Sequence, residues 1–199
     1  MLQVDRNHPL VPMLFLSSQR NNASGVWADY LGTQLPQHVV AASALGLDEV
    51  QIEAIADSEA RALVREHRAV FDGMVTLVGA AFPELLDEPA LRWAASMVVS
   101  RSFQIALPRT LPGDEGHQAE EGVEGEGGGP RGIAKRRVML PFADFFNHAP
   151  GSGSAVWYDA NADAFKLKTL RSWRAGEEVF IDYGDLSPQE LLAQHGIGS

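Results

Sequence analysis

The stretch LPFADFFNHAPGSGS, residues 140 to 154, places three polar side chains among aromatic residues. Asp144, Asn147 and His148 offer a carboxylate, a carboxamide and an imidazole, which are groups that hold ligands or move protons. Burying such groups costs free energy unless each of them finds a hydrogen-bond partner. The stretch therefore predicts either a hydrogen-bonded structural cluster or a ligand site.

Two of these side chains have a spacing that also suits metal ligation. Asp144 and His148 are four residues apart, so on a helix they would share a face. A third ligand would have to come from a strand, with Asp159 or Asp182 as candidates. A metal-dependent hydrolase built on this pair is one functional hypothesis. The site that we predict by preference contains no metal ligand.

The sequence DANAD at 159 to 163 resembles the start of a calcium loop. Such a loop needs glycine at its sixth position and a bidentate glutamate at its twelfth. Those positions hold Ala164 and Leu170. A hairpin turn is therefore the better interpretation.

A tyrosine near the C-terminal end of the chain is the remaining candidate for chemistry. In IDYGD, residues 181 to 185, Tyr183 ends an apolar strand and directly precedes a glycine. A buried tyrosine whose hydroxyl bonds a carbonyl is common and needs no function. Taken alone, this motif favours that structural explanation.

Composition excludes several classes of protein. A chain of 199 residues with 45% hydrophobic content can bury the core of one domain, and its net charge of -10 disfavours binding to nucleic acid or to anionic lipid. The absence of cysteine removes disulfides and thiolate chemistry, and it fits an intracellular protein whose compartment, cytosol, nucleus or plastid, stays open. The longest apolar run, residues 10 to 16, is far shorter than the ~20 residues that span a bilayer.

The hydrophobic pattern predicts a helical half followed by a strand-rich half. Apolar residues recur at helical spacing through 59–82 and again through 87–103, where Pro89 suits a first helical turn. Residues 112–132 contain 8 glycines and 6 acidic residues, so we predict a disordered loop. Beyond it we expect short, mostly antiparallel strands in RRVMLPF, SAVWYD, AFKLKTL and EEVFIDY, and hence an α+β fold.

Considered in order, these pieces form a specific signature, because Tyr183 and its glycine follow His148 by 35 residues with a Gly-Glu-Glu between them. The chain resembles the SET-domain protein methyltransferases, in the branch typified by the Rubisco large-subunit lysine methyltransferase. The segments that carry the resemblance are SRSF (100–103), LPFADFFNH (140–148), FKLKTLRSWRAGEEVFIDYGD (165–185) and SPQELLAQHGI (187–197). Those that resemble the helical insertion of that branch are GVWADYLGTQLP (25–36) and LRWAASMVVSRSF (91–103).

The resemblance implies an S-adenosylmethionine-dependent protein-lysine N-methyltransferase. Its partner would be a protein substrate that presents a lysine, or a histidine as in some relatives, and the chain would be a monomer. The implied fold is a SET-like β core with a pseudoknot-like crossing and a helical insertion. The insertion would cover 1–99, and the C-terminal part of the SET core would cover 100–199.

The resemblance also implies one catalytic residue and a set of cofactor contacts. Tyr183 would be the catalytic tyrosine and would also line the cofactor pocket. Asp144 would support the Asn-His segment or the amino group of the cofactor. The other implied contacts to S-adenosylmethionine are Arg101, Phe103, Asn147 and His148.

Some features of the family pattern are missing. The glycine-rich strand and turn expected before Pro9 is absent, as is the helical substrate-binding domain expected after Ser199. The tail carries Pro188, His195 and Ile197 where the family carries an asparagine and an aromatic pair. These departures predict a truncated or weakly active enzyme, and they motivate an alternative hypothesis, a non-catalytic SET-like binding or scaffold module.

Overall fold

The computed structural model describes residues 8, 10–20, 24–25, 27–35, 43–83, 87–108 and 133–198. The predicted disordered loop at 112–132 lies outside these residues. Within these ranges, no helix combines the length and the apolar character that crossing a bilayer requires.

The described residues divide into two compact units. One unit holds the residues up to Ser102 together with those from Gly184 onward, and the other runs from Phe103 to Tyr183. The first is helical and the second is built largely of strands. The predicted division of the sequence at 99/100 stays a prediction, while the mixed α+β class is confirmed.

The helical unit contains five α-helices and two short turns of other helix types among its described residues. The α-helices are α1 (Leu10–Gln19), α2 (Glu49–Glu53), α3 (Ser58–Ala81), α4 (Glu88–Arg101) and α5 (Pro188–His195). A π-helical turn covers Tyr30–Gln34 and a 3-10 turn covers Ala44–Gly46.

The two helices that periodicity predicted are present as α3 and α4. In α3, Val64, Phe71 and Val78 are buried on one face, as the helical spacing indicated. Helix α4 begins after Asp87, which caps it, and carries Pro89 in its first turn. It is buried on nearly all sides, well beyond the single apolar stripe expected, and its buried residues are Ala90, Leu91, Trp93, Ala94, Ala95, Ser96, Met97 and Val98.

Helix α5 is attached to the rest of the helical unit at both ends. Near its N-terminus, the Gln189 side-chain amide donates a 2.8 Å hydrogen bond to Asp57, and Asp57 also caps α3. At its C-terminus, Nδ1 of His195 lies 3.0 Å from the carbonyl oxygen of Ser100 in α4. Between these contacts, Ala193 is buried in an apolar cluster with Ile52 and Val64.

Removing the Asp57 carboxylate should destabilise the helical unit in a pH-dependent way. The hydrogen bond from Gln189, followed by those from the Ala60 and Glu59 amides, holds the pKa of Asp57 below its usual value. A lowered folded-state pKa stabilises the fold above the ordinary aspartate pKa of about 4, and this contribution is lost as the pH falls through the folded-state pKa. We expect Asp57→Ala to lower Tm by about 2–4 °C at pH 7.

Thermal denaturation at several pH values tests this prediction. The difference in Tm between wild type and Asp57→Ala should shrink below about pH 4. Glu66→Gln, also an acid-removing change on α3, serves as the control and should leave Tm near the wild-type value. A difference in Tm that stays constant from pH 7 to pH 3 would contradict the assignment.

The β-rich unit contains six described strands. They are β1 (Ser102–Pro108), β2 (Ile133–Met139), β3 (Asn147–His148), β4 (Ser154–Asp159), β5 (Ala164–Thr169) and β6 (Phe180–Ile181). They pair as β1 with β2, β3 with β6, and β4 with β5. A 3-10 turn at Ala143–Phe145 precedes β3.

The hairpin interpretation of DANAD is confirmed. Strands β4 and β5 pair antiparallel from Ser154 opposite Thr169 to Asp159 opposite Ala164. Asp159 accepts the backbone amides at the start of the turn and forms an ion pair with Lys166 on the facing strand. The hydrogen bond from Lys166 is the main reason why the pKa of Asp159 lies below its usual value. The acids of this motif therefore stabilise a turn.

One strand pair differs from the mostly antiparallel arrangement expected. The segment EEVFIDY contributes only Phe180–Ile181 as strand, and this strand runs parallel to β3. Parallel neighbours need a long connection between them. The β4–β5 hairpin lies in that connection, so the chain returns to β3 in the same direction.

Candidate functional site

The polar cluster at 140–148 is shaped by a tight turn and a very short strand. Asp144 lies in the 3-10 turn and is only 7% exposed, while its backbone amide donates to the carbonyl of Leu140. The turn ends at Phe145, and after Phe146 strand β3 begins at Asn147. A buried acid thus lies three residues before Asn147.

Strand pairing brings the Asn-His pair beside the segment that carries the tyrosine. Asn147 lies opposite Phe180 and His148 opposite Ile181, and the Ala149 amide extends the ladder with a 3.0 Å bond to the Ile181 carbonyl. Two residues of pairing are few for a stable ladder. Side-chain hydrogen bonds must therefore help to hold the two segments together.

The first of these hydrogen bonds joins His148 to Tyr183. The backbone N–H of Tyr183 donates to Nδ1 of His148 at 3.1 Å, and the two rings lie 5.0 Å apart between centroids. Because Nδ1 accepts this bond, a neutral His148 carries its proton on Nε2. The expectation that the imidazole and the phenol meet is therefore confirmed, while their roles in a reaction stay predictions.

The Tyr183 hydroxyl has a defined orientation. It donates to the backbone carbonyl of Phe146 at 2.9 Å, which is the structural role expected of a buried tyrosine. A phenol oxygen that donates its proton still has lone pairs with which to accept. The same hydrogen bond that stabilises the fold therefore also aims those lone pairs away from the Phe146 carbonyl.

Two acids flank the β3–β6 pair, namely Glu178, which the sequence reasoning did not name, and Asp182, which it named only as a candidate metal ligand. Glu178 accepts a 2.5 Å hydrogen bond from the Asn147 carboxamide, and Asp182 accepts a 2.8 Å bond from the Gly151 amide. Each lies an even number of residues from Phe180 in the β6 segment. Their position two residues before and after Phe180 could have indicated that they lie beside β6. Their hydrogen-bond partners, each 31 residues away, could not be inferred from spacing.

The Asp182 contact fixes the loop that follows His148, and its loss should be visible in hydrogen exchange. We expect Asp182→Ala to speed hydrogen exchange of the Gly151 amide about 10-fold. In this variant, local opening of the loop no longer requires that a hydrogen bond be broken. Asp182→Asn keeps an acceptor oxygen and should restore most of the protection. Asp185→Ala is a nearby matched control. Unchanged Gly151 exchange in Asp182→Ala, measured by NMR, would contradict this role.

Arg101 and Phe103 fall in different units. Arg101 ends α4 in the helical unit, whereas Phe103 lies on β1 and packs against the apolar cluster that includes Ile105 and Leu107. The geometry thus groups Asp144, the Asn-His pair and Tyr183 within the β-rich unit. Whether Arg101 and Phe103 contact a cofactor stays a prediction.

No described group of three histidine, aspartate or glutamate side chains is arranged to hold a metal ion. Asp159, one candidate for a third ligand, is engaged in its hairpin. The other candidate, Asp182, binds the Gly151 amide. The Asp144–His148 pair therefore has no metal-binding partner among the described residues.

The loop after His148 has features that suit a small polar ligand. Ser152 is 7% exposed, and its hydroxyl makes no hydrogen bond with any of the described residues. Buried hydroxyls normally have a hydrogen-bond partner, so the Ser152 hydroxyl is a candidate to bind a ligand or a water molecule. Gly151 and Gly153, with φ of 62° and 70°, give the loop a backbone course that other residues rarely follow.

Comparison with solved structures defines the class of the fold. The chain superimposes on the SET domain of LSMT bound to lysine and AdoHcy with a TM-score of 0.71 and 20% identity, covering 98% of this chain and 42% of that one. Rubisco LSMT bound to AdoMet gives a TM-score of 0.69 at 20% identity, covering 98% of this chain and 40% of that one. The chain has a SET-domain fold.

Sequence comparison adds particular relatives. The human SET domain-containing protein 4 is 31% identical over 62 residues, which are 31% of this chain and 14% of that protein. The N-lysine methyltransferase setd6 of Salmo salar is 35% identical over 60 residues, which are 30% of this chain and 13% of that protein. The chain is thus similar in sequence to part of a SET domain-containing protein and to part of an N-lysine methyltransferase, with alignments that span about a seventh of each relative. No family model matches the chain.

Proposed function

We propose that this protein is an S-adenosylmethionine-dependent protein-lysine N-methyltransferase. The observation that carries the proposal is the contact between the Asn147–His148 strand and Tyr183 within a SET-domain fold. The solved structures with this fold are bound to AdoHcy with lysine and to AdoMet, and a relative in sequence is an N-lysine methyltransferase. An intracellular setting, which the absence of cysteine allows, forms part of the proposal.

The residues of the site fit the chemistry of this cofactor. When bound, S-adenosylmethionine supplies an electrophilic methyl group on a positively charged sulfur. Its amino-acid and nucleoside parts need hydrogen-bonding groups, for which Asn147, Nε2–H of His148 and the Ser152 hydroxyl are candidates. Its charge is compatible with the faces of the neighbouring His148 and Tyr183 rings.

Tyr183 would act by position and not by proton transfer. Its hydroxyl proton is engaged with the Phe146 carbonyl, so the oxygen would accept weak C–H···O contacts of roughly 0.5–1 kcal/mol each. Such contacts orient a methyl group without reacting with it. Methyl transfer gains most from alignment of the amine and the methyl carbon and from exclusion of water.

The acceptor lysine must be neutral to attack. Apolar surroundings lower the pKa of an amine, and the segment before β3 supplies aromatic side chains from Phe142, Phe145 and Phe146. Glu178 and Asp182 would act on the cofactor only indirectly, by holding Asn147 and the Gly151 loop in place.

Calorimetry and a labelled transfer assay test the proposal together. We expect the chain to bind S-adenosylmethionine and its demethylated product, and to transfer labelled methyl groups to a protein that yields methyllysine on acid hydrolysis. Absence of binding to either nucleoside would overturn the proposal and favour the non-catalytic SET-like module. Binding with methylhistidine as the product would retain the fold assignment and correct the acceptor.

A further inference from the structure

Phe142 combines an exposed aromatic ring with an unfavourable backbone conformation. Its side chain is 69% exposed, and its backbone has φ 79° and ψ -49°. Bulky residues rarely adopt positive φ, because the Cβ atom clashes with the backbone, and glycine is the usual choice. The protein therefore accepts strain at this position without gaining a buried side chain. Strain of this kind concentrates at functional sites.

The Phe142 ring is connected to the proposed catalytic tyrosine through one residue, Phe146. It packs edge-on against Phe146, with 5.6 Å between centroids and an angle of 86° between planes. The carbonyl of Phe146 holds the Tyr183 hydroxyl at 2.9 Å. The exposed ring and the Tyr183 hydroxyl therefore both contact the same residue, Phe146, within one compact unit. Two such contacts in series span no more than roughly four residues of an extended peptide, about 13 Å.

The sequence segment that carries Phe142 is apolar and nearly uncharged. Phe145 is 40% exposed, and the only charged residue between Leu140 and Phe146 is Asp144, which is buried. An exposed ring gains more from covering by an apolar side chain than from a cation that stays hydrated. An apolar residue of a peptide therefore suits this surface better than a lysine or an arginine.

We infer that Phe142 is a specificity-determining residue of the acceptor site, where it contacts an apolar side chain of the protein substrate within about four residues of the methylated lysine. This inference rests on the proposed function, because that function identifies lysine as the acceptor. Peptide binding can be measured without methyl transfer, so the Phe142 contact and the proposed function are tested separately.

Fluorescence anisotropy with three labelled peptides tests the inference. The peptides share a central lysine and differ only in their flanking residues, which are leucine, serine or arginine. We expect the wild-type chain to bind the leucine peptide about 10-fold more tightly than the serine peptide. Phe142→Gly should reduce this ratio to about two or less, and Phe142→Leu should keep most of it. Phe165→Ala, a control at an exposed ring in the β4–β5 hairpin, should leave the ratio unchanged.

Thermal denaturation tests whether the Phe142→Gly variant is folded. Glycine accepts the backbone conformation at 142, so Phe142→Gly should not lower Tm, although it loses the preference for leucine. A preference for leucine that survives in Phe142→Gly would overturn the inference, as would a wild-type preference for arginine or no preference at all. A preference that depends on Phe142 in a chain that transfers no methyl group supports the contact and overturns the proposed function alone.

Discussion

Tyr183→Phe should lower the rate of methyl transfer about 100-fold while leaving cofactor affinity within about threefold of the wild-type value. The substitution removes only the hydroxyl oxygen, which the structure holds at 2.9 Å from the Phe146 carbonyl. Without that oxygen, nothing at this position accepts contacts from the methyl group. The ring at position 183 would still contact the His148 ring, so binding should persist.

Stability and a second tyrosine provide the controls. Loss of one hydrogen bond should reduce the free energy of unfolding by about 1 kcal/mol, which is too little to unfold the chain. Tyr158→Phe removes a hydroxyl that bonds Asp163 in the β4–β5 hairpin, and it should leave the transfer rate unchanged. Equal rates in wild type and Tyr183→Phe, from single-turnover measurements with labelled cofactor, would show that the phenol is structural only.

His148→Ala should weaken cofactor binding at least 10-fold and also destabilise the β3–β6 pair. The imidazole accepts the Tyr183 amide through Nδ1, and removing it leaves that half-buried N–H without its acceptor. The expected loss is about 1–3 kcal/mol of unfolding free energy. Both effects arise because one side chain links the two segments and faces the proposed ligand.

An asparagine at 148 separates the two effects. Its side-chain oxygen reaches a position similar to that of Nδ1, so His148→Asn should recover most of the stability lost in His148→Ala. It lacks the ring, so cofactor affinity should remain low. His67→Ala, in α3 of the helical unit, is the control and should bind the cofactor normally. Full recovery of cofactor affinity in His148→Asn, measured by calorimetry, would limit His148 to a structural role.

Much of the helical unit could be predicted from the sequence, because an amphipathic period and capping residues are local signals. Periodicity located α3, and Pro89 indicated the first turn of α4. The near-complete burial of α4 was not predictable, since its surroundings come from segments distant in the chain. The α4 surface contains many alanines, which suit close packing on every side but do not by themselves reveal it.

Among the strands, the pair formed by neighbouring segments could be predicted from local signals, and the pair formed by distant segments could not. The β4–β5 hairpin was evident from alternation around a turn. Strand β4 was predicted with its observed bounds, 154–159, and β5 was predicted one residue too long at its C-terminal end. The parallel pairing of β3 with β6 was not, because two-residue strands carry no period and their partner lies beyond the hairpin. Only the resemblance to SET-domain proteins indicated that the Asn-His and Tyr-Gly segments meet.

Within the site, the sequence could nominate chemical groups but not their partners. Asn147 and His148 stood out as polar residues among aromatics, whereas Glu178 looked like an ordinary acid near a strand and Asp182 was considered only as a metal ligand. Their hydrogen bonds to Asn147 and to Gly151 depend on the strand register. Phe142 was not singled out by the sequence, and its backbone angles and its exposure distinguish it in the structure.

Titration of the isotopically labelled chain with S-adenosylhomocysteine, followed by NMR, tests the central claim most directly. We expect the largest shift changes at the backbone amides of residues 147–153 and 180–183 and at the side chains of His148 and Tyr183. Saturation without shift changes in these two segments, or changes centred on a distant part of the chain, would contradict a cofactor site at the β3–β6 pair.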